Sequence, residues 1–106
     1  MNDTVLIGGR EISARTRHRW ADPQWDGRES WELTMELECE DAKGLFVNDA
    51  QWSLRRSGDG VEEHEVDMSD FSVAGQVSDN RDGTVTVRMG VLTEREALKI
   101  ILGETV

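Results

Sequence analysis

From Arg10 to Trp20 the chain alternates in character. Ile12, Ala14, Thr16, His18 and Trp20 fall on one side, and Ser13, Arg15, Arg17 and Arg19 on the other. A period of two sends successive side chains to opposite faces of a strand, so residues 10–20 predict a strand with one wet face. The same period is clearest over residues 31–38. There Trp31, Leu33, Met35 and Leu37 alternate with Glu32, Thr34, Glu36 and Glu38, giving one apolar and one largely acidic face. Val5, Leu6 and Ile7 form a short apolar strand ahead of Gly8-Gly9, a dipeptide suited to a tight hairpin turn.

Further along, residues 50–56 read as a strand with Trp52 and Leu54 inward, and Gly58-Asp59-Gly60 turns the chain towards a partner strand at 61–67. Phe71, Val73, Gly75 and Val77 alternate in the next strand. The run Asp79-Asn80-Arg81-Asp82-Gly83 is a strong turn, and residues 84–89 return with Val85, Val87 and Met89 on one side. Residues 21–28, with Asp22-Pro23 and Asp26-Gly27, read as a loop.

Two helices complete the pattern. Asp41 is a candidate cap for a short helix over 42–47, which Gly44 weakens. Near the end, Thr93 and Glu96 have the spacing of a capping box. Leu98, Ile101 and Leu102, with Ala97 beside them, make one apolar face, and Gly103 is a stop signal. Short connections imply antiparallel pairing. The expected fold is one domain over residues 1–106, mainly β (α+β): a small antiparallel barrel or sandwich of about six or seven strands with a C-terminal helix.

A chain of 106 residues is long enough to bury a core without a disulfide or a metal. Lys and Arg number 12 against 22 Asp and Glu, a formal net charge of −10, which opposes non-specific binding to nucleic acid and to anionic membrane. The lone cysteine, Cys39, fits a reducing compartment and reads as a small residue at a strand end. Residues 1–7 have no basic region followed by a long apolar run, so no signal peptide is expected, and no apolar run is long enough to span a membrane. The expected location is the cytoplasm of a bacterial host or a virion.

The residues do not spell out a chemistry. His18, His64 and Cys39 lack the spacing of a zinc site. The stretch 78–89 has Asn80, Asp82 and Gly83 in place for a calcium loop, but Ser78 and Met89 occupy positions that need carboxylates. Gly8-Gly9 does not lead into a phosphate-binding loop, and no serine sits in a nucleophile elbow. No catalytic residue, cofactor or metal is expected, and the protein reads as a non-enzyme.

Charge segregation carries more information. Arg15, Arg17 and Arg19 share one strand face, whereas residues 57–80 contain no Lys or Arg and hold Glu63, Glu65 and Asp67 among seven acids. One reading places the arginine stripe beside the acidic strand within one sheet, each cross-strand pair contributing about 0.2–1 kcal/mol. A second lets the two patches meet on neighbouring subunits, giving head-to-tail assembly. Nucleic-acid binding through the arginines is the weakest reading, because the total charge opposes it. Trp25, in the loop, either covers the core edge or anchors an interface.

The opening Val5-Leu6-Ile7-Gly8-Gly9-Arg10-Glu11-Ile12 resembles the strand–turn–strand start of small tail and head–tail proteins of bacteriophages and prophages. The stretches 67–71 and 79–87 also resemble compact prophage proteins. That resemblance implies a structural or assembly role. The expected function is therefore a non-enzymatic structural or assembly protein that binds a protein partner or itself, as a homo-oligomer. Its interface draws on Arg15, Arg17, Arg19, Trp25, Glu63, Glu65 and Asp67. The alternative is an acidic module that mimics nucleic acid and inhibits a DNA-binding protein.

Overall fold

The Gly8-Gly9 pair has φ of +58° and +76°, the left-handed backbone that a two-residue hairpin turn demands and that glycine adopts without steric cost. It joins β1 (Asp3–Ile7) to β2 (Arg10–Asp22), with Val5 opposite Ile12. A computed structural model describes the backbone of residues 3–58 and 61–101 and the side chains of 3–56 and 64–98. The predicted turn residues Asp59 and Gly60, and the helix residues Leu102 and Gly103, lie outside the described residues. So do the side chains of Glu63 and Ile101.

The remaining elements are β3 (Arg28–Glu36), α1 (Cys39–Leu45), β4 (Trp52–Gly58), β5 (Val61–Asp67), β6 (Val73–Ala74), β7 (Ser78–Asp79), β8 (Thr84–Gly90) and α2 (Glu94–Ile101). The chain is mainly β with a helix near its C-terminus, as the alternation predicts. The eight strands among the described residues belong to one antiparallel sheet in the order β5-β4-β1-β2-β3-β8-β6, with β7 also on β8. The count exceeds the expected six or seven because β6 and β7 have two residues each. The strand expected from Phe71 to Val77 shrinks to β6. Phe71 and Val77 instead pack on the core from irregular chain.

One face of the sheet carries the core. Val5, Ile7, Ile12, Ala14, Leu33, Met35, Trp52, Leu54, Val85, Val87 and Met89 are buried on it, and Ala42 and Phe46 cover it from α1 and the turn that follows. The irregular chain after β5 closes the same face. Trp52 donates its indole N–H to the Phe71 carbonyl at 3.1 Å, and the Phe46 and Trp52 rings meet edge to face at 6.5 Å. The β1–β2 turn is pinned from below: a Cβ on Gly8 would lie 2.7 Å from Leu45 Cδ2.

Helix α1 starts three residues earlier than expected. Its N-cap is Glu38, so Asp41 sits in the first turn, where its charge favours the helix dipole. Cys39 is therefore the first residue of a helix, half-buried, and not a strand end. At α2 the capping box forms as read. Thr93 Oγ1 accepts from the Glu96 amide at 3.3 Å, and the Thr93 amide donates to Glu96 Oε1 at 3.0 Å. The predicted apolar face is only partly used, because Leu98 remains 55% exposed.

Candidate functional site

β2 is much longer than its neighbour. Within the described residues, β1 pairs with it no further than Asp3 opposite Ala14, while β3 continues alongside it from Ala14 to Asp22. Beyond Ala14, the far stretch of β2 has, among the described residues, a strand on one side only. It is an arm whose edge is unpaired among the described residues, and an unpaired edge is a template for another strand.

The outer face of the arm holds the arginine stripe. Arg15 and Arg17 are exposed, and Arg17 has no ion-pair partner among the described residues. Arg19 turns inward to Asp22 at 3.5 Å and Glu32 at 3.8 Å, and Arg88 of β8 reaches the same two carboxylates at 3.6 and 4.0 Å. Glu32 lies opposite both Arg17 and Arg88 in register. The acids beside the stripe are thus those of β3. The strand holding Glu63, Glu65 and Asp67 is β5, with β4 and β1 between it and β2. The expectation that arginine stripe and acidic strand are neighbours within one chain is corrected: sheet order depends on long-range pairing, which charge pattern alone does not reveal.

The inner face of the arm is aromatic. His18 lies between two indoles, with Trp20 edge-on at 4.5 Å and Trp31 tilted at 4.9 Å. His18 Nε2 is 2.7 Å from Glu29 Oε2, which fixes the ring. Trp31 is packed further by Phe71 and by the Arg56 guanidinium, 5.6 Å from its ring centre. Arg56 in turn meets Asp3 at 3.4 Å. Trp20 has no such cover and is 80% exposed. The alternation puts Trp20 on the same strand face as Ile12 and Ala14, and its ring does lie on that face beside His18. The arm, however, carries it past the buried residues Ile12 and Ala14, which the local alternation does not show.

The tip of the arm is held rigidly. Asp22 is buried; its Oδ1 accepts the Gln24 amide at 3.0 Å and starts a short 3-10 turn at Pro23–Trp25. Arg28 is also buried and forms a two-pronged pair with Glu96 at 2.7 and 3.1 Å, while donating to the Val91 carbonyl at 2.6 Å. Trp25 lies over the Arg28 guanidinium at 4.6 Å. The loop tryptophan therefore covers an internal ion pair that ties the arm tip to α2. That use of Trp25 follows from the backbone of β8, since a Cβ on Gly90 would stand 2.4 Å from Arg28 Cδ and 3.0 Å from Trp25.

Along the free edge, a hollow of about 400 Å³ is lined by Arg17, His18, Arg19, Asp22 and their neighbours. A wider open hollow of about 980 Å³ lies on the outer face of β1 and β4 and reaches Glu65, Asp67 and Ser69. β5 is the last strand at its end of the sheet, so among the described residues its outer edge is also unpaired. Glu65 is exposed and has no ion-pair partner among the described residues. Asp67 is exposed too. The Ser69 hydroxyl and amide, at 2.6 and 2.9 Å, hold its carboxyl below the usual carboxylate range and keep it charged.

Among the described residues no group of three or more His, Cys, Asp or Glu side chains is placed to hold a metal, and no helix is long and apolar enough to cross a membrane. Cys39 in α1 and His64 on β5 stand apart from the His18–Glu29 pair. None of the protein-family models, curated proteins or solved structures compared with this chain matches it.

Proposed function

We propose that this is a non-enzymatic structural or assembly protein that works through protein–protein contacts, with the β2 arm as its contact element. The observation that carries the reading is Trp20: a large indole, 80% exposed, on a strand whose adjacent edge has no partner strand among the described residues. Main-chain groups of an unpaired edge supply affinity to an incoming strand, and an exposed tryptophan beside it supplies a desolvated anchor. The arm is preorganised. His18, Glu29 and Trp31 set the inner face, and the Arg28–Glu96 pair fixes the tip, so little ordering is needed on binding. The arginines on its outer face restrict the choice of partner to one bearing acids in register.

The test is a photo-cross-linking residue at position 20, expressed in cells. A discrete cross-linked product is expected, either with a second copy or with another protein. Only uncross-linked monomer, from a folded variant, would overturn the reading.

A further inference from the structure

We infer that one ordered water molecule is built into the arm tip beneath Trp25, where it joins Asp22, Arg28 and Ser30. The inference goes beyond the contact reading and does not depend on it. Three buried side-chain atoms at the tip have no hydrogen-bond partner among the described residues: Asp22 Oδ2, Arg28 Nε and Ser30 Oγ. Asp22 and Ser30 are fully buried, and Arg28 is almost so. The Nη1 atoms of Arg19 and Arg88 stand 3.5 and 3.6 Å from Asp22 Oδ2, which is ion-pair range but too long for a good hydrogen bond. A buried polar group left unbonded is costly, so folded chains satisfy such groups with protein atoms or with water.

The strand register brings the three atoms to one place. Arg19, Ser30 and Gly90 lie side by side across β2, β3 and β8. Asp22 of β2 and Arg88 of β8 meet across β3, on the face that carries Ser30. Arg28 is the register partner of Asp22, and its side chain runs over Gly90, with Cδ 2.4 Å from the place a Cβ on that glycine would take. Nε is bonded to that Cδ, so it too lies by the Ser30–Gly90 pair. Ser30 has a short side chain and Gly90 has none, so this row carries little bulk at its centre. Trp25 closes it from above, 3.0 Å from the same Cβ position and over the Arg28 guanidinium.

The donors and acceptors fit water and no ion. Arg28 Nε–H donates, Asp22 Oδ2 accepts, and the Ser30 hydroxyl does either. A water there accepts from Nε, donates to Oδ2 and makes its third bond to Ser30, the number typical of a buried water. An anion would meet the Asp22 carboxylate, and a cation would meet Arg19, Arg28 and Arg88, so charge opposes both. Asp22 already caps the Pro23–Trp25 turn through Oδ1, and Arg28 already holds Glu96 through its two Nη atoms. The water therefore links the cap of the arm tip to the helix pair through the atoms that neither of them uses.

The test is a crystal structure of the full chain at a resolution that shows ordered solvent, together with magnetisation transfer from water to the Arg28 Nε–H in solution. One solvent peak within hydrogen-bond distance of all three atoms is expected, with a water–Arg28 cross-peak whose sign marks a molecule tumbling with the protein. Ser30→Ala leaves the water two partners and removes the hydroxyl, whose own proton exchange relays the same signal. The cross-peak is expected to persist in that variant. Its disappearance there, with the fold verified by circular dichroism, would overturn the inference. So would a crystal structure in which Ser30 Oγ bonds Asp22 Oδ2 directly with no solvent between them and Arg28. Cross-linking at position 20 tests the contact reading separately, and neither result alters it.

Discussion

Arg28 grips Glu96 across 68 residues of sequence, its Nη1 donating to Oε1 and its Nη2 to Oε2, under the indole of Trp25. The pair joins the first strand residue after the arm tip to the first turn of the C-terminal helix. Arg28 is almost wholly buried, while Glu96 is 40% exposed, so water screens one partner only.

The bond to Arg28, reinforced by the Thr93 amide, holds the Glu96 carboxyl down from 4.5 to about 2. A carboxyl whose folded pKa lies below its unfolded value binds protons more readily in the unfolded chain. Its stabilisation is thus complete above about pH 4.5 and is lost as pH falls towards about 2. Glu96→Gln is expected to cost about 1–3 kcal/mol at neutral pH, towards the lower end because of screening. Urea unfolding at a series of pH values checks both points: the gap between wild type and variant should narrow below pH 4.5.

Gly90→Ala should be more harmful than an alanine in a strand ordinarily is. The new Cβ meets Arg28 Cδ at 2.4 Å, and Arg28 is held by Glu96 and Val91 and has no room to retreat. A loss of about 1–3 kcal/mol is expected in the denaturation midpoint, with quenching changes at Trp25. The same substitution at Gly75, where the closest contacts are at 3.1 Å, should cost less.

Much of this fold is legible in the sequence. The alternation over 31–37 marks β3, which is paired on both sides by β2 and β8, and the Thr93–Glu96 spacing forms the cap it implies. These signals are local. What the sequence hides is non-local. The insertion of β1 between β2 and β4 separates the arginine stripe from the acidic strand, and Trp20 lies exposed on the arm although it shares the strand face of Ile12 and Ala14. In the sequence, Arg28 is one more basic residue near the stripe. Only the close approach of β8 and α2 makes it a buried partner, and the single local hint is a glycine, Gly90, ending a strand of larger residues.

Trp20 and Trp52 should respond in opposite ways to substitution. Trp20→Ala removes an exposed ring and is expected to change stability by less than about 0.5 kcal/mol, while abolishing the contact made by the arm. Trp52→Ala empties the core beneath β4 and breaks the bond to Phe71, with an expected loss of about 3–5 kcal/mol. Thermal unfolding beside cross-linking yield separates the two effects.

Thr93→Ala removes the hydroxyl that accepts the Glu96 amide and should cost about 1 kcal/mol. It should also loosen the Arg28–Glu96 pair, which shares Glu96 Oε1 with the Thr93 amide. Trp25 fluorescence is expected to shift before global unfolding, a change that a surface cap elsewhere would not produce.

Hydrogen exchange along the β2 arm tests the contact directly. With the protein dilute, alternate backbone amides from Arg17 to Asp22 should exchange quickly, because their edge of the strand faces solvent. On concentrating the protein at low salt, or on adding the partner trapped at position 20, those amides should slow while the core amides of Leu33 and Val87 stay unchanged. Fast exchange over 17–22 in every bound and concentrated state would contradict the assignment of this edge as the contact element.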